Sequence, residues 1–190
     1  MVPSATDWLR HTLLVTGTHQ DLAAFRAAAA GPGAIPWRRD AGRLEEEWFL
    51  GLAAPPQGAR AISLPGARLL ARRLRDAVAL HEAREQARIA AGDRSCPLDL
   101  HRLLPVPRPL LALGPEEPES RDWLWRHWGT SRALRQVHAL PVKHDRRLRQ
   151  TDRWAVAFWS ADWSPWPALQ QLRRNWPDLS LELTPHYAEE

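Results

Sequence analysis

The chain has 190 residues, with 26 basic and 22 acidic side chains, 11 Trp, one Tyr, one Met and one Cys. Its 44% hydrophobic and 25% charged content is that of a globular chain, which excludes disorder throughout, and its length suits one domain carrying a large insertion better than two domains. No apolar run of membrane-spanning length occurs, and the single Cys96 excludes an internal disulfide and a Cys-pair zinc site.

Alternation predicts a first strand over Leu9 to Thr16, with Leu13 and Val15 on one side and Thr12, Leu14 and Thr16 on the other. Thr18 fits a helix N-cap, Asp21 sits in the first turn, and Leu22, Phe25 and Ala29 form the apolar stripe. Gly31-Pro32-Gly33 ends that helix. From about 35 to 96 the chain reads as an insertion. Glu45 to Leu50 leaves helix and strand open, Pro55-Pro56 marks a loop, and a long helix is predicted from about Pro65 to Ala91. Its front half has an apolar stripe through Leu70, Leu74, Ala77 and Val78, whereas His81 to Arg88 is nearly all polar. Such a helix docks at one end and projects, or is simply solvated, at the other, a solvated face being the default expectation.

Leu103-Leu104-Pro105-Val106-Pro107 reads as extended, Gly114 to Ser120 as an acidic loop, and Arg121 to Trp128 as a short helix ended by Gly129. Strands are predicted over Arg135 to Val142 and Trp154 to Ser160, joined by a charged, exposed connection over 143–153. Ser164 and Pro165 fit the N-cap and first residue of another helix, with Trp166, Leu169, Leu172 and Trp176 along one face. Leu179, Leu181 and Leu183 then alternate with Ser180, Glu182 and Thr184 in a one-sided final strand. The expectation is one α+β domain over 1–190, a ferredoxin-like β-α-β-β-α-β sandwich. Its sheet is antiparallel, and a helical insertion follows the first β-α unit.

Several stretches carry a likeness. Trp128-Gly129-Thr130, the corner Ala161-Asp162-Trp163-Ser164-Pro165, and Trp176-Pro177-Asp178-Leu179-Ser180-Leu181-Glu182 resemble, in order, motifs of the YubB-type ferredoxin-like domain family. Leu98 to Pro107 is similar to that family's segment ending in Pro-x-Pro, and Leu14 to Gly17 with Leu22 to Phe25 to its opening β-α unit. The likeness spans about 9–31 and 98–190. Ser131-Arg132 stand where family members tend to have Lys-Trp, and Trp166 where they have a second Pro. The family occurs on bacterial plasmids, phages and chromosomes. The resemblance implies a fold and a mobile-element setting, and transfers no catalytic residue.

All basic residues but Lys143 are Arg, the better fork for phosphate and the better stacker on bases. GC-rich bacterial codons produce the same excess, and a net charge of +4 matters only if the arginines cluster. Phe158 and Trp159 point to opposite sides of their strand, which puts Trp159 on the open sheet face beside Ala155 and Ala157. RNA-recognition modules stack bases at such a position, although their signature run is absent here. The favoured expectation is that the insertion folds back over this face and buries Trp159, while Trp154, Trp166 and Trp176 join the core. The Trp128-Gly129-Thr130 turn and the Trp163-Ser164 corner outline a candidate binding site with Arg126, His127 and Asp162. The competing expectation is a helix C-cap meeting a helix N-cap.

No nucleophile elbow, phosphate loop, dinucleotide fingerprint or zinc-protease motif occurs, so no catalytic residue and no cofactor is expected. His138, His144 and Asp145 match no metal spacing, and Cys96 has no evident His partner. The first expectation is therefore a cytoplasmic, non-enzymatic binding module, a protein-interaction or mobile-element accessory protein. It would use its insertion helix for a protein partner or a second copy. The alternative is a nucleic-acid binder using Arg residues and the open face. A second alternative is a small-molecule enzyme with its site near Trp128 and Trp163. No membrane partner is expected.

Overall fold

The computed structural model describes residues 6–56, 59–142 and 151–187. Four strands take their places from alternation and β-branched or aromatic content: β1 (Trp8–Gly17), β2 (Arg135–Leu140), β3 (Asp152–Ala161) and β4 (Ser180–His186). They form one sheet in the order β2-β3-β1-β4, with every neighbouring pair antiparallel. The hairpin partners β2 and β3 are adjacent, and β1 lies between β3 and β4. Residues 143–150 of the expected connection, with His144, Asp145 and Arg146, lie outside the described residues.

Helix α1 (His19–Ala29) is capped by Thr18, whose hydroxyl accepts from the Asp21 amide at 3.2 Å. It packs with α7 (Trp166–Asn175) on the sheet face formed by His11, Leu13, Val15, Trp154, Val156 and Phe158. Phe25 is fully buried there, with Trp154 and Trp176 edge-on at 6.0 and 5.2 Å. Burying such a ring contributes roughly 2–3 kcal/mol. Trp154 and Trp176 thus belong to or pack on the core, but Trp166 is 37% exposed, against expectation. Ala168, Leu169 and Leu172 form the buried stripe of α7 instead.

The ambiguous Glu45 to Leu50 stretch is helical: α2 (Ala41–Ala53) is capped by the Asp40 carboxylate, which accepts from the Gly42 and Arg43 amides. It pairs with α3 (Leu64–Ala90), capped by Ser63. The buried face of α3 is a correction to the expected stripe. Ala67 and Ala71 are buried, whereas Leu70 and Leu74 are 38% and 39% exposed. Small residues let the two helices approach, Trp48, Phe49 and Leu52 of α2 are half-buried, and the Arg68 guanidinium of α3 lies 5.0 Å from the Phe49 ring centroid. At the base of this hairpin Gly31 and Cys96 exchange backbone hydrogen bonds of 3.0 and 2.9 Å, and the Asp99 carboxylate accepts from the Gly33 amide.

The expected extended run from Leu103 to Pro107 is non-helical from Leu104 to Pro107, and two short helices that were not expected, α4 (Leu100–Leu103) and α5 (Arg108–Leu113), flank it. Asp99 caps the first through the His101 amide. Helix α6 (Pro118–His127) starts three residues before the expected Arg121, with Pro118 in the first turn where its missing amide costs nothing. No helix among the described residues is long and apolar enough to cross a membrane.

Candidate functional site

The even-numbered residues of β1 and the odd-numbered residues of β3 from Arg153 point away from α1 and α7. On that side the strand register aligns one row across the whole sheet. Trp159 on β3 lies opposite Arg135 on β2 and Arg10 on β1, and Arg10 lies opposite His186 on β4. The next row runs His138, Ala157, Thr12 and Thr184, so small side chains border the indole. Thr12 Oγ1 and His186 Nε2 are 2.8 Å apart.

A bulge makes the row possible. Gln136 adopts a positive φ of 49°, and the register shifts between Arg135 and His138. Without that extra residue Arg135 would face the helices. The Arg135 guanidinium lies 4.2 Å from the centroid of the Trp8 ring.

Expectation had the insertion covering this face. Among the described residues it does not: Trp159 is half-buried, while Arg10, Arg135, His138, Glu182, Thr184 and His186 are exposed. The physical reason is that α2 and α3 satisfy each other's inner faces, so the hairpin has no need of the sheet. Arg10, Arg135 and Trp8 escaped the sequence reading. The alternation of β1 already puts Arg10 on the polar side, but its adjacency to Trp159 follows only from strand pairing.

The other expected site residues divide into cap, core and rim. Trp128 is 1% exposed, and its indole N–H donates to the Leu104 carbonyl at 3.1 Å. Gly129 ends α6 with φ 76°, and a Cβ there would stand 2.5 Å from Pro167 Cδ. Buried Thr130 takes over the end of the β3 ladder, with its hydroxyl donating to Ala161 O and accepting from Ala161 N at 2.9 and 3.0 Å. Asp162 accepts hydrogen bonds from the Ser131 hydroxyl and the Asp7 amide, so it ties the corner to the start of β1. Trp163 is 54% exposed.

Ser164 does not cap α7, whose N-cap is Pro165 without a side-chain bond. Its hydroxyl donates instead to His11 Nε2 at 2.8 Å, while His11 Nδ1–H donates to Leu9 O at 2.9 Å. His11 is fully buried against the Phe158 ring, at 5.3 Å, and burial pushes its pKa down to about 4. This Ser–His pair is sealed from solvent, with Ser164 only 2% exposed, and it ties the corner to β1.

Arg126 and His127 line a cavity of about 430 Å³ between α6 and α7, together with Trp123, Gln171 and Arg174. His127 stacks on Trp123 at 4.4 Å, and Arg126 pairs with Asp122 at 3.3 Å. Trp128, Gly129, Thr130, Asp162, Trp163 and Ser164 are not brought into that cavity. Cys96 is half-buried, its thiol pushed up by burial. Among the described residues no cluster of His, Cys, Asp or Glu is placed to hold a metal ion.

No family model, curated protein or solved structure matches this chain.

Proposed function

We propose that the chain binds single-stranded nucleic acid on the open face of a ferredoxin-like sheet. The observation that carries this reading is the row of Arg135, Trp159, Arg10 and His186 across all four strands, which the insertion leaves open among the described residues. A partly exposed indole offers a stacking platform to any base, and flanking guanidiniums meet the phosphates on either side. A duplex would present its bases edge-on in a groove and leave the flat indole unused. The ferredoxin-like assignment is supported by the order β-α-β-β-α-β, in which β3 lies between β1 and β2 and β1 lies between β3 and β4. The YubB-type resemblance of the turn, the corner and the final strand supports the same fold and a mobile-element setting.

Fluorescence anisotropy with a labelled oligothymidylate at low salt tests the reading. The wild-type chain should bind, and Trp159→Ala should weaken binding by roughly 5- to 100-fold, the worth of one stacked base. No binding at low salt, or undiminished binding by the variant, would refute it.

A second reading rests on Leu69, Leu70, Leu74 and Leu80, which are 55%, 38%, 39% and 54% exposed on α3. This apolar surface supports a protein-interaction role for the insertion. Its readout is solution mass and partner capture, compared between the wild type and a Leu70→Gln/Leu74→Gln variant; a strict monomer that captures no protein argues against it.

A further inference from the structure

A second indole stands on the open face. Trp8 begins β1 opposite Ala161, and the alternation of β1 turns it to the same side as Arg10. It is partly exposed. Because Arg10 is the partner of Trp159, Trp8 is the diagonal neighbour of Trp159 across β1 and β3. Such neighbours stand about 7 Å apart. From β2 the Arg135 side chain crosses β3 to reach Trp8, and its guanidinium carbon lies over the ring, 4.2 Å from the centroid. Ala161 contributes only a methyl group at this crossing, which leaves room for the arm. Among the described residues the guanidinium makes no hydrogen bond or ion pair, so the Trp8 ring is what positions it.

A guanidinium is planar, with all its N–H donors in the plane. One face of Arg135 is turned to Trp8, and the side chain is exposed, which leaves the other face to solvent. Splayed bases stack on arginine planes as they do on aromatic rings, and the in-plane donors stay free for a phosphate oxygen. Trp159 and the Trp8-Arg135 pair are therefore two platforms side by side. Bases stacked on one another are only about 3.4 Å apart, so consecutive bases reach both platforms only when the strand is drawn out and unstacked. A single strand does this without breaking base pairs. Resting on the open-face reading, we infer that the free face of Arg135, backed by Trp8, is a second base-stacking platform, so that the sheet seats two consecutive bases of an extended single strand.

The experiment uses the full chain and a labelled, unphosphorylated oligothymidylate of about 12 nucleotides, with affinity read by anisotropy across a potassium chloride series. Trp8→Ala should weaken binding roughly 5- to 100-fold, and Trp8→Phe, which keeps a ring under the guanidinium, should stay within about threefold of wild type. Arg135→Lys keeps the charge and loses the plane. It should weaken binding about fivefold or more and leave the slope of log affinity against log salt unchanged, whereas Arg135→Ala should also make that slope shallower by about 0.7. Wild-type affinity in Trp8→Ala or in Arg135→Lys, beside a clear loss in Trp159→Ala, overturns the second platform and leaves the open-face reading standing. An equal loss in Trp8→Phe and Trp8→Ala overturns it as well, because stacking is then not the cause. Undiminished binding by Trp159→Ala, or no binding by the wild-type chain, removes the open-face reading and the second platform with it.

Discussion

His11 shows how far a buried environment moves a single side chain. It has no exposed surface, and burial is the main reason its pKa falls to about 4, with the Leu9 carbonyl pulling it partly back and nearby His186 adding to the fall. In the unfolded chain the imidazole titrates near 6.5. The unfolded state therefore takes up a proton that the folded state refuses. Its contribution is whole above about pH 6.5 and is lost as pH falls towards 4, by on the order of 3 kcal/mol. His101, lowered by its own burial, acts in the same direction, whereas buried Asp99, raised, acts in the opposite one. Urea midpoints at pH 7.5 and 5.0 should fall with acidification in the wild type and fall much less in His11→Leu. The variant should also be weaker at pH 7.5 by roughly 1–3 kcal/mol, because the Ser164 hydroxyl loses its acceptor. None of this was legible locally. Ser164 has the residue type and position of an N-cap, and a partner 153 residues away in sequence takes its hydroxyl.

At the scale of elements, periodicity located the pieces better than it located their faces. The strands β1, β3 and β4 and the helices α1 and α7 follow the alternation and apolar spacing written in the chain, because each buries one side against a common core. Helix α3 does not. Its leucines suggested the buried stripe, yet the hairpin with α2 selects the Ala67 and Ala71 side, where backbones approach closely. Ala71→Leu should therefore destabilise the protein by about 1–3 kcal/mol through overpacking, and Leu74→Gln by less than about 0.5 kcal/mol. Chemical denaturation of the two variants checks the pair, and the reverse order would place the leucine stripe inward. The short helices α4 and α5 were missed because prolines on either side mask a single turn of helix, which only the Asp99 cap and packing on α1 and α6 stabilise.

At the scale of the whole molecule, the net charge of +4 matters less than where the arginines stand. Arg10, Arg135 and Arg153 occupy the open face, with Glu182 as its opposing charge. If each arginine displaces one counterion from a single strand, the logarithm of affinity for an unphosphorylated strand should fall against log salt with a slope near −2. Arg10→Ala should make that slope shallower by about 0.7. A titration in potassium chloride measures both, and a slope near zero would separate binding from these charges. By itself the sequence determined the four strands and the helices α1, α3, α6 and α7, the alternation that turns Trp159 away from Phe158, and the abundance of arginine. These properties need only neighbours in the chain. The tertiary structure alone decided that, among the described residues, the helical insertion leaves this face open and that Arg10 and Arg135 flank Trp159. Register, a bulge at Gln136 and the closure of α2 on α3 are long-range outcomes: they depend on which surfaces meet, and local patterning cannot specify that.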